Sequence, residues 1–396
     1  MYMYKEREEV MPLAMVDDLI GVAKCGFDSV SLNSYINTQI ELKKLTFHTP
    51  DEKGKSKCNM MHIGSESGIC PQLKVHGENM NIITHSTYLG DIIMSNGSNE
   101  KNIQSRVSKG HGKVTDIMNI LEKVTFGSRY FKVAKMLRES IFLNGIMTNS
   151  EIWYGVSTKQ VEQLETVDKL LLRKFFNTPV STPGEGIMLE FGVLSIGTIM
   201  KARRVNFLQN LLKTSEKEML SKFFKAQHSD PVKNDWTVQV LQDLKDLKIE
   251  LSMEQMQQKS IESFKNYVKK KAIEYEFSKL MGLKQHHSKM DKLNYTKLEM
   301  QPYLKVNNIS SIGGQTVFRY RTHMANYRTN YGNNGPNNCP LCGLHLDNQY
   351  MAFYNCQVVK DNIRIEGKYE DLFKPTVPNN LVRTLTRIEE FRKDKI

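Results

Sequence analysis

The stretch Ala14-Met15-Val16-Asp17-Asp18-Leu19-Ile20 places two adjacent carboxylates between two apolar runs, Val10 to Val16 and Leu19 to Ala23. Apolar runs of that length around a two-residue polar break predict the paired strands of a β-hairpin. Two-residue hairpin turns favour Asn-Gly, Asp-Gly or Gly-Gly, because their central residues need positive φ. Asp-Asp suits that geometry poorly, and neighbouring carboxylates repel each other. A divalent cation resolves the conflict, since Mg²⁺ takes hard oxygen ligands from carboxylates and substrate phosphates. In polymerases two such ions, about 3.5–4 Å apart, stabilise the attacking and leaving oxygens. A solvated turn, or an aspartate capping the next helix, is the plainer reading of the dipeptide, so the residues after it carry the decision.

Asp28-Ser29-Val30 opens a run with apolar residues at Leu32, Tyr35, Ile36, Ile40 and Leu45, a helical spacing with Ser29 available as cap. A basic, turn-rich stretch follows, Pro50-Asp51-Glu52-Lys53-Gly54-Lys55-Ser56-Lys57-Cys58, and then a short strand, Asn59-Met60-Met61-His62-Ile63-Gly64. Ser86-Thr87-Tyr88-Leu89-Gly90-Asp91-Ile92-Ile93 reads as a further strand.

In that order the segments resemble the second half of the palm of reverse transcriptases from non-LTR (LINE-like) retrotransposons. Met15-Val16-Asp17-Asp18 stands where the family has an aromatic-x-Asp-Asp box, with Met15 replacing the aromatic. The helix, the Lys57-Cys58 turn and the Met61 to Gly64 strand match the next palm motif, and Thr87-Tyr88-Leu89-Gly90 matches the entry to the primer-gripping hairpin. The resemblance implies that Asp17 and Asp18 hold Mg²⁺, and that Tyr88, Leu89 and Gly90 face the primer. It also implies that Lys57, or Lys55 beside it, protonates the leaving pyrophosphate; a solvated basic turn is the other reading. The family's fingers and first palm aspartate precede these motifs and have no counterpart before Asp17. The resemblance therefore implies a chain inactive on its own, or a non-catalytic nucleic-acid-binding remnant of such an element.

From Asn99 the period changes. Ile103, Val107, Val114, Ile117, Leu121 and Val124 predict one amphipathic helix, and Tyr130, Val133, Ala134, Leu137 and Ile141 a second. A third opens at the possible capping box Ser157-x-x-Gln160 and runs to Phe175, and a fourth covers Ile199 to Leu212. Between Lys101 and Arg138 there are nine Lys or Arg against two acidic residues, as either a solvated face or a polyanion-binding one. Here the segment, with Gly145 to Tyr154, resembles the family's thumb, whose basic face tracks the template–primer backbone. Lys109, Lys113 and Arg129 are then the candidate phosphate contacts, giving sequence-independent affinity that falls with salt.

Residues 213–317 are polar, lysine-rich and weakly patterned, which predicts a helical linker. Phe318-Arg319-Tyr320-Arg321-Thr322 begins a basic aromatic stretch reaching Arg328 and Tyr331. Arg319 and Arg321 interleaved with tyrosine suit single-stranded nucleic acid; an amphipathic helix with its tyrosines packed inward is the alternative. Cys339-Pro340-Leu341-Cys342-Gly343 is a zinc half-site, because the turn lets both thiolates face one ion, and Cys356 follows fourteen residues on. The family's C-terminal knuckle has a histidine five residues before its last cysteine, where this chain has Met351, and a thioether is a poor Zn²⁺ ligand. His345, a water, or a knuckle that has lost its metal remain as readings. Cys25, Cys58 and Cys70 show no paired spacing, which suits free thiols in a reducing compartment.

The expected fold class is α+β: a partial palm of antiparallel strands plus a helix over 1–95, a helical thumb over 96–212, the linker over 213–317, and a basic aromatic stretch with a small zinc-knuckle-like segment over 318–396. The resemblance spans about 1–215 and again 318–356. Its partners are an RNA template and DNA primer, or their hybrid, with deoxynucleotides the only small-molecule substrate; Mg²⁺ and Zn²⁺ are the implied cofactors. The net charge of +12 fits a polyanion. No run of eighteen apolar residues and no signal peptide is visible, so the expected location is the nucleus or cytoplasm, with no membrane partner.

Overall fold

A computed structural model describes residues 10–15, 18–23, 26–42, 58–63, 71–75, 77–123, 127–232, 235–305, 309–330 and 337–395. It is mostly helical with a few short strands, an α+β arrangement in the general sense. Internal contacts divide the chain into two compact units, Met1–Asn102 and Ile103–Ile396.

In the first unit, β1 (Val10–Met15) pairs antiparallel with β2 (Asp18–Ala23), Val10 opposite Ala23 and Met15 opposite Asp18. The expected hairpin is present in its backbone pairing, but Asp18 is the first residue of β2 and not a turn residue. Helix α1 (Gly26–Leu42) follows, with Leu32 buried on it. Then come β3 (Asn59–Met60), β4 (Lys74–Val75), β5 (Glu78–Asn79) and β6 (Asn81–Ile82); β3 pairs parallel with β6 and β4 antiparallel with β5. Asn33 and Asn37 on α1 both donate to the Lys74 carbonyl, at 2.8 and 3.1 Å.

The stretch read as one strand over Ser86–Ile93 is two: β7 (His85–Tyr88) and β8 (Asp91–Met94) form a hairpin with Leu89-Gly90 as its turn. Leu89 at φ +46 and Gly90 at φ +87 give the two positive φ values of a tight hairpin turn. Glycine accepts that geometry freely, whereas a leucine there is strained.

The second unit is helical and built on the predicted periods. Helix α2 (Glu100–Lys123), which begins in the last residues of the first unit, buries Ile103, Val114, Ile117 and Leu121. Helix α3 (Tyr130–Leu137) passes through a π-helical segment (Arg138–Leu143) into α4 (Asn144–Ile146). Helix α5 (Thr158–Phe176) starts at the capping box the sequence predicts: Ser157 Oγ accepts from the Gln160 N–H at 3.3 Å and Gln160 Oε1 from the Ser157 N–H at 2.8 Å. Helices α6 (Gly184–Phe191) and α7 (Ile196–Lys213) complete this part.

Residues 213–317 do more than connect. Helices α8 (Met219–Ser229), α9 (Trp236–Asp246), α10 (Met253–Gln258) and α11 (Ile261–Lys284) enclose a core of their own with α7, including Val205, Leu208, Val240, Phe264 and Val268. From Leu280 onward the chain rejoins the main core, through α12 (Pro302–Lys305) and α13 (Ser311–Arg321), α14 (Gln349–Tyr354), α15 (Gln357–Asn362) and α16 (Asn379–Lys395). One close approach fixes that return. Gly192 lies at φ +64, and a Cβ there would come within 2.1 Å of the Glu299 backbone.

Among the described residues, no helix is long and apolar enough to cross a membrane.

Candidate metal centre and basic surface

The segment 337–347 folds back on itself as a short hairpin. Asn338 and Leu346 form an isolated antiparallel bridge, the Cys339 N–H donates to the His345 carbonyl at 2.6 Å, and the Asp347 N–H to the Asn337 carbonyl at 2.6 Å. Inside it, the Gly343 N–H donates to the Cys339 carbonyl at 2.8 Å with Gly343 at φ +68, so the chain turns back just after Cys342. Asn348 caps α14 by accepting from the Met351 N–H at 2.8 Å. The chain leaves α14 at Asn355, and Cys356 is the N-cap of α15.

These local turns bring three sulfurs together. Cys339, Cys342 and Cys356 place their Sγ atoms within 4.8 Å of one another, close enough to bind one metal ion. Cys339 and Cys356 are buried, with their sulfurs 3.9 Å apart, and Cys342 is half-buried.

Cys356 and Cys342 differ electrostatically. Burial pushes the Cys356 thiol up to about 11, and the neighbouring Cys339 adds to it. Burial acts upward on Cys342 too. There the N–H groups of Leu344 and His345, with Cys339 and Cys356 beside it, outweigh that effect and hold the thiol below the usual cysteine range. Met351, where the resembled family has histidine, turns its thioether to the Asn355 amide at 3.0 Å. His345 contributes its carbonyl to the hairpin, and the group of mutually close donors consists, among the described residues, of the three sulfurs.

The centre is backed by residues that sequence reading did not single out. Arg392 of α16 is 5% exposed. Its Nη1 lies 3.9 Å from Cys339 Sγ, its Nη2 2.8 Å from Asp347 Oδ1, and its guanidinium 4.2 Å from the centre of the Tyr327 ring. A signal was there: Leu381, Leu385, Ile388 and Arg392 fall at i, i+4, i+7 and i+11, so the arginine continues an inward-facing stripe.

Of the candidate phosphate contacts, Lys109 and Arg129 are exposed, and Lys113 is half-exposed and paired with Asp116 at 3.3 Å. Lys109, Lys113 and Lys123 share one side of α2, flanking its buried stripe. The positive run nevertheless presents less charge than its composition suggests. Arg106 and Arg138 are buried, Arg138 pairing with Asp168 at 2.5 Å, and Lys135 donates to the Gly192 carbonyl at 2.7 Å.

Arg319 and Arg321 are corrected by the structure. Arg321 is 1% exposed and spends its donors on Glu190 at 3.0 Å and on the Leu372 and Lys374 carbonyls at 2.6 and 3.0 Å. Arg319 is clamped on Glu389 of α16, its Nε 2.9 Å from Oε1. Tyr320 and Tyr327 are buried and share a 2.8 Å hydrogen bond. The inward-packed alternative therefore describes these residues, and Tyr331 lies outside the described ones.

In the first unit, Asp17 and Lys57 lie outside the described residues, and for Asp18 the backbone pairing with Met15 is what is described. Tyr88 is half-exposed and Leu89 and Gly90 exposed at the β7–β8 turn. No known protein family, curated protein or solved structure matches the chain.

Proposed function

We propose that the chain is part of a LINE-like reverse transcriptase and that its thumb-like helices grip an RNA–DNA hybrid. The observation that carries this reading is the antiparallel pairing of β1 with β2, which sets Asp18 at the start of β2 opposite Met15. Lys109, Lys113 and Arg129 remain on the surface for phosphates while the other candidate arginines are spent on the fold. Asp17 and Asp18 are the residues assigned to Mg²⁺, which in this class of enzyme steadies the attacking and leaving oxygens.

The sulfur cluster is assigned to one Zn²⁺. With Zn–S near 2.3 Å, the edge of a tetrahedron of sulfurs is about 3.8 Å, and the Cys339–Cys356 separation is 3.9 Å. The ion's contribution is structural, tying the 337–347 hairpin to the start of α15.

Binding to an RNA–DNA hybrid across a salt series tests the reading. The logarithm of the binding constant should fall linearly with the logarithm of salt concentration, and neutralising Lys109, Lys113 and Arg129 together should flatten the slope by about 2–3. An affinity indifferent to salt overturns it. Mg²⁺-dependent extension of a primed RNA, lost in Asp17→Asn and Asp18→Asn, marks a polymerase. Salt-sensitive binding without extension marks a non-catalytic nucleic-acid-binding protein.

A further inference from the structure

We infer that Arg392 is a positioning residue for the sulfur centre, orienting the Cys339 thiolate toward the ion and thereby coupling metal binding to the docking of α16. This rests on the metal assignment above.

The geometry is that of a guanidinium shared between two anions. Asp347 takes Nη2, at 2.8 Å from Oδ1 and 3.1 Å from Oδ2. Nη1 is left directed at Cys339 Sγ, at 3.9 Å. Asp347 is itself pinned, accepting the Arg328 N–H at 2.9 Å through Oδ2 and the Thr329 hydroxyl at 2.8 Å through its carbonyl. The Tyr327 ring closes one side of the guanidinium. Arg392 thus has one orientation, and in it a charged donor meets the buried sulfur.

A thiolate in a buried site needs such a partner. Three thiolates and one divalent ion leave a net negative charge, and a buried charge is costly unless it is hydrogen-bonded. Asp347 offsets part of the arginine's charge, so the contribution is chiefly directional: an N–H donor aimed at Cys339. Partners of this kind around a metal's ligands typically alter affinity 10- to 100-fold when removed. Coupling is reciprocal: if α16 tightens the metal, the metal tightens α16.

The test uses the full chain, titrated with Co²⁺ to read thiolate-to-metal charge transfer, with Zn²⁺ affinity measured against a chromophoric chelator. Arg392→Gln should weaken Zn²⁺ about 10- to 100-fold, and Arg392→Lys should recover part of the loss. Glu389→Gln is the control: it breaks the Arg319 pair that also docks α16 but leaves Arg392 facing the sulfur. Its affinity should fall by less than that of Arg392→Gln, because Cys339 keeps its donor. Equal affinities in all three overturn the inference. So does equal weakening by Arg392→Gln and Glu389→Gln, which would assign the effect to α16 docking alone. An unmodified chain that takes up neither ion overturns the metal assignment itself, a result distinct from both.

Discussion

Phe176, at 0% exposure in the larger unit, packs against the rings of Phe131, Phe191 and Phe318, with centroids 4.3–5.5 Å apart. In the smaller unit all four residues of β8 are only half-buried, and among its described residues Leu32 and Val75 are the buried apolar side chains. The larger unit also encloses charge: Arg138 with Asp168, Arg204 with Asp243, and Arg321 with Glu190. Such pairs hold in a core when hydrogen bonds offset the lost solvation; here most of the polar atoms are bonded, with Glu190 Oε2 and Arg204 Nη1 lacking a hydrogen-bond partner among the described residues. The smaller unit has two-stranded sheets of two to six residues per strand, and a two-stranded sheet alone is marginal in water. The larger unit encloses paired charge within an apolar core, while β3 to β8 of the smaller unit are short and partly exposed.

The sharpest way to break that comparison is to strike one residue in each unit. Glu190→Ala removes the carboxylate that accepts from Arg321 at 3.0 Å and from Tyr295 Oη at 2.6 Å. The buried arginine is left unpaired, and the larger unit should lose about 3–5 kcal/mol in urea unfolding followed by Trp153 and Trp236 fluorescence. Ile93→Ala in half-buried β8 should leave that transition within about 0.5 kcal/mol. Equal losses from the two would mean that the units share one cooperative fold.

Periodicity made the helices legible, because an amphipathic stripe is a local signal. Ile103, Val114, Ile117 and Leu121 lie buried on α2 as their spacing predicts, and the Ser157–Gln160 capping box opens α5. Pairings across long separations were not legible. Glu190 and Arg321 are 131 residues apart, and Cys339 and Arg392 53 apart. Nothing in an isolated Phe-Arg-Tyr-Arg stretch says whether its arginines meet a phosphate or a carboxylate. The return at Gly192 was missed for the same reason, since its need for glycine comes from the Glu299 backbone. Of the metal centre, the Cys-x-x-Cys half was legible from its own turn. The third sulfur's approach depends on α14 being short enough to bring Cys356 back to the hairpin.

A smaller effect sharpens the picture of the first unit. Leu89 sits at φ +46 with its side chain 47% exposed, so it carries backbone strain that burial does little to offset. Leu89→Asn, a residue that tolerates positive φ, should stabilise the β7–β8 hairpin by about 0.5–1 kcal/mol. Amide exchange of Tyr88 to Met94 should slow, with exchange in the larger unit unchanged. Faster exchange would show that Leu89 is held by contacts that outweigh its strain.

The smallest effect concerns the pH response of the larger unit. His323 lies at φ +52, with its Nδ1 2.9 Å from Gln349 Nε2 and its ring stacked on Phe373. Gln349 Nε2 also donates to the Tyr320 carbonyl at 2.9 Å, which fixes that nitrogen as a donor and makes His323 Nδ1 the acceptor. Protonating Nδ1 would set two donors against each other. Burial, with Lys292 and Lys289 nearby, accordingly holds the imidazolium below its usual range. In the window between the folded value and the unfolded one, near pH 6.5, the unfolded chain binds the extra proton. The contribution is therefore present above about pH 6.5 and lost as pH falls through the folded value. His323→Asn keeps a residue suited to positive φ and removes the titration, so its urea midpoint should fall less than that of the unmodified chain between pH 7.5 and 5. Identical losses in the two proteins would place the acid sensitivity of the larger unit elsewhere.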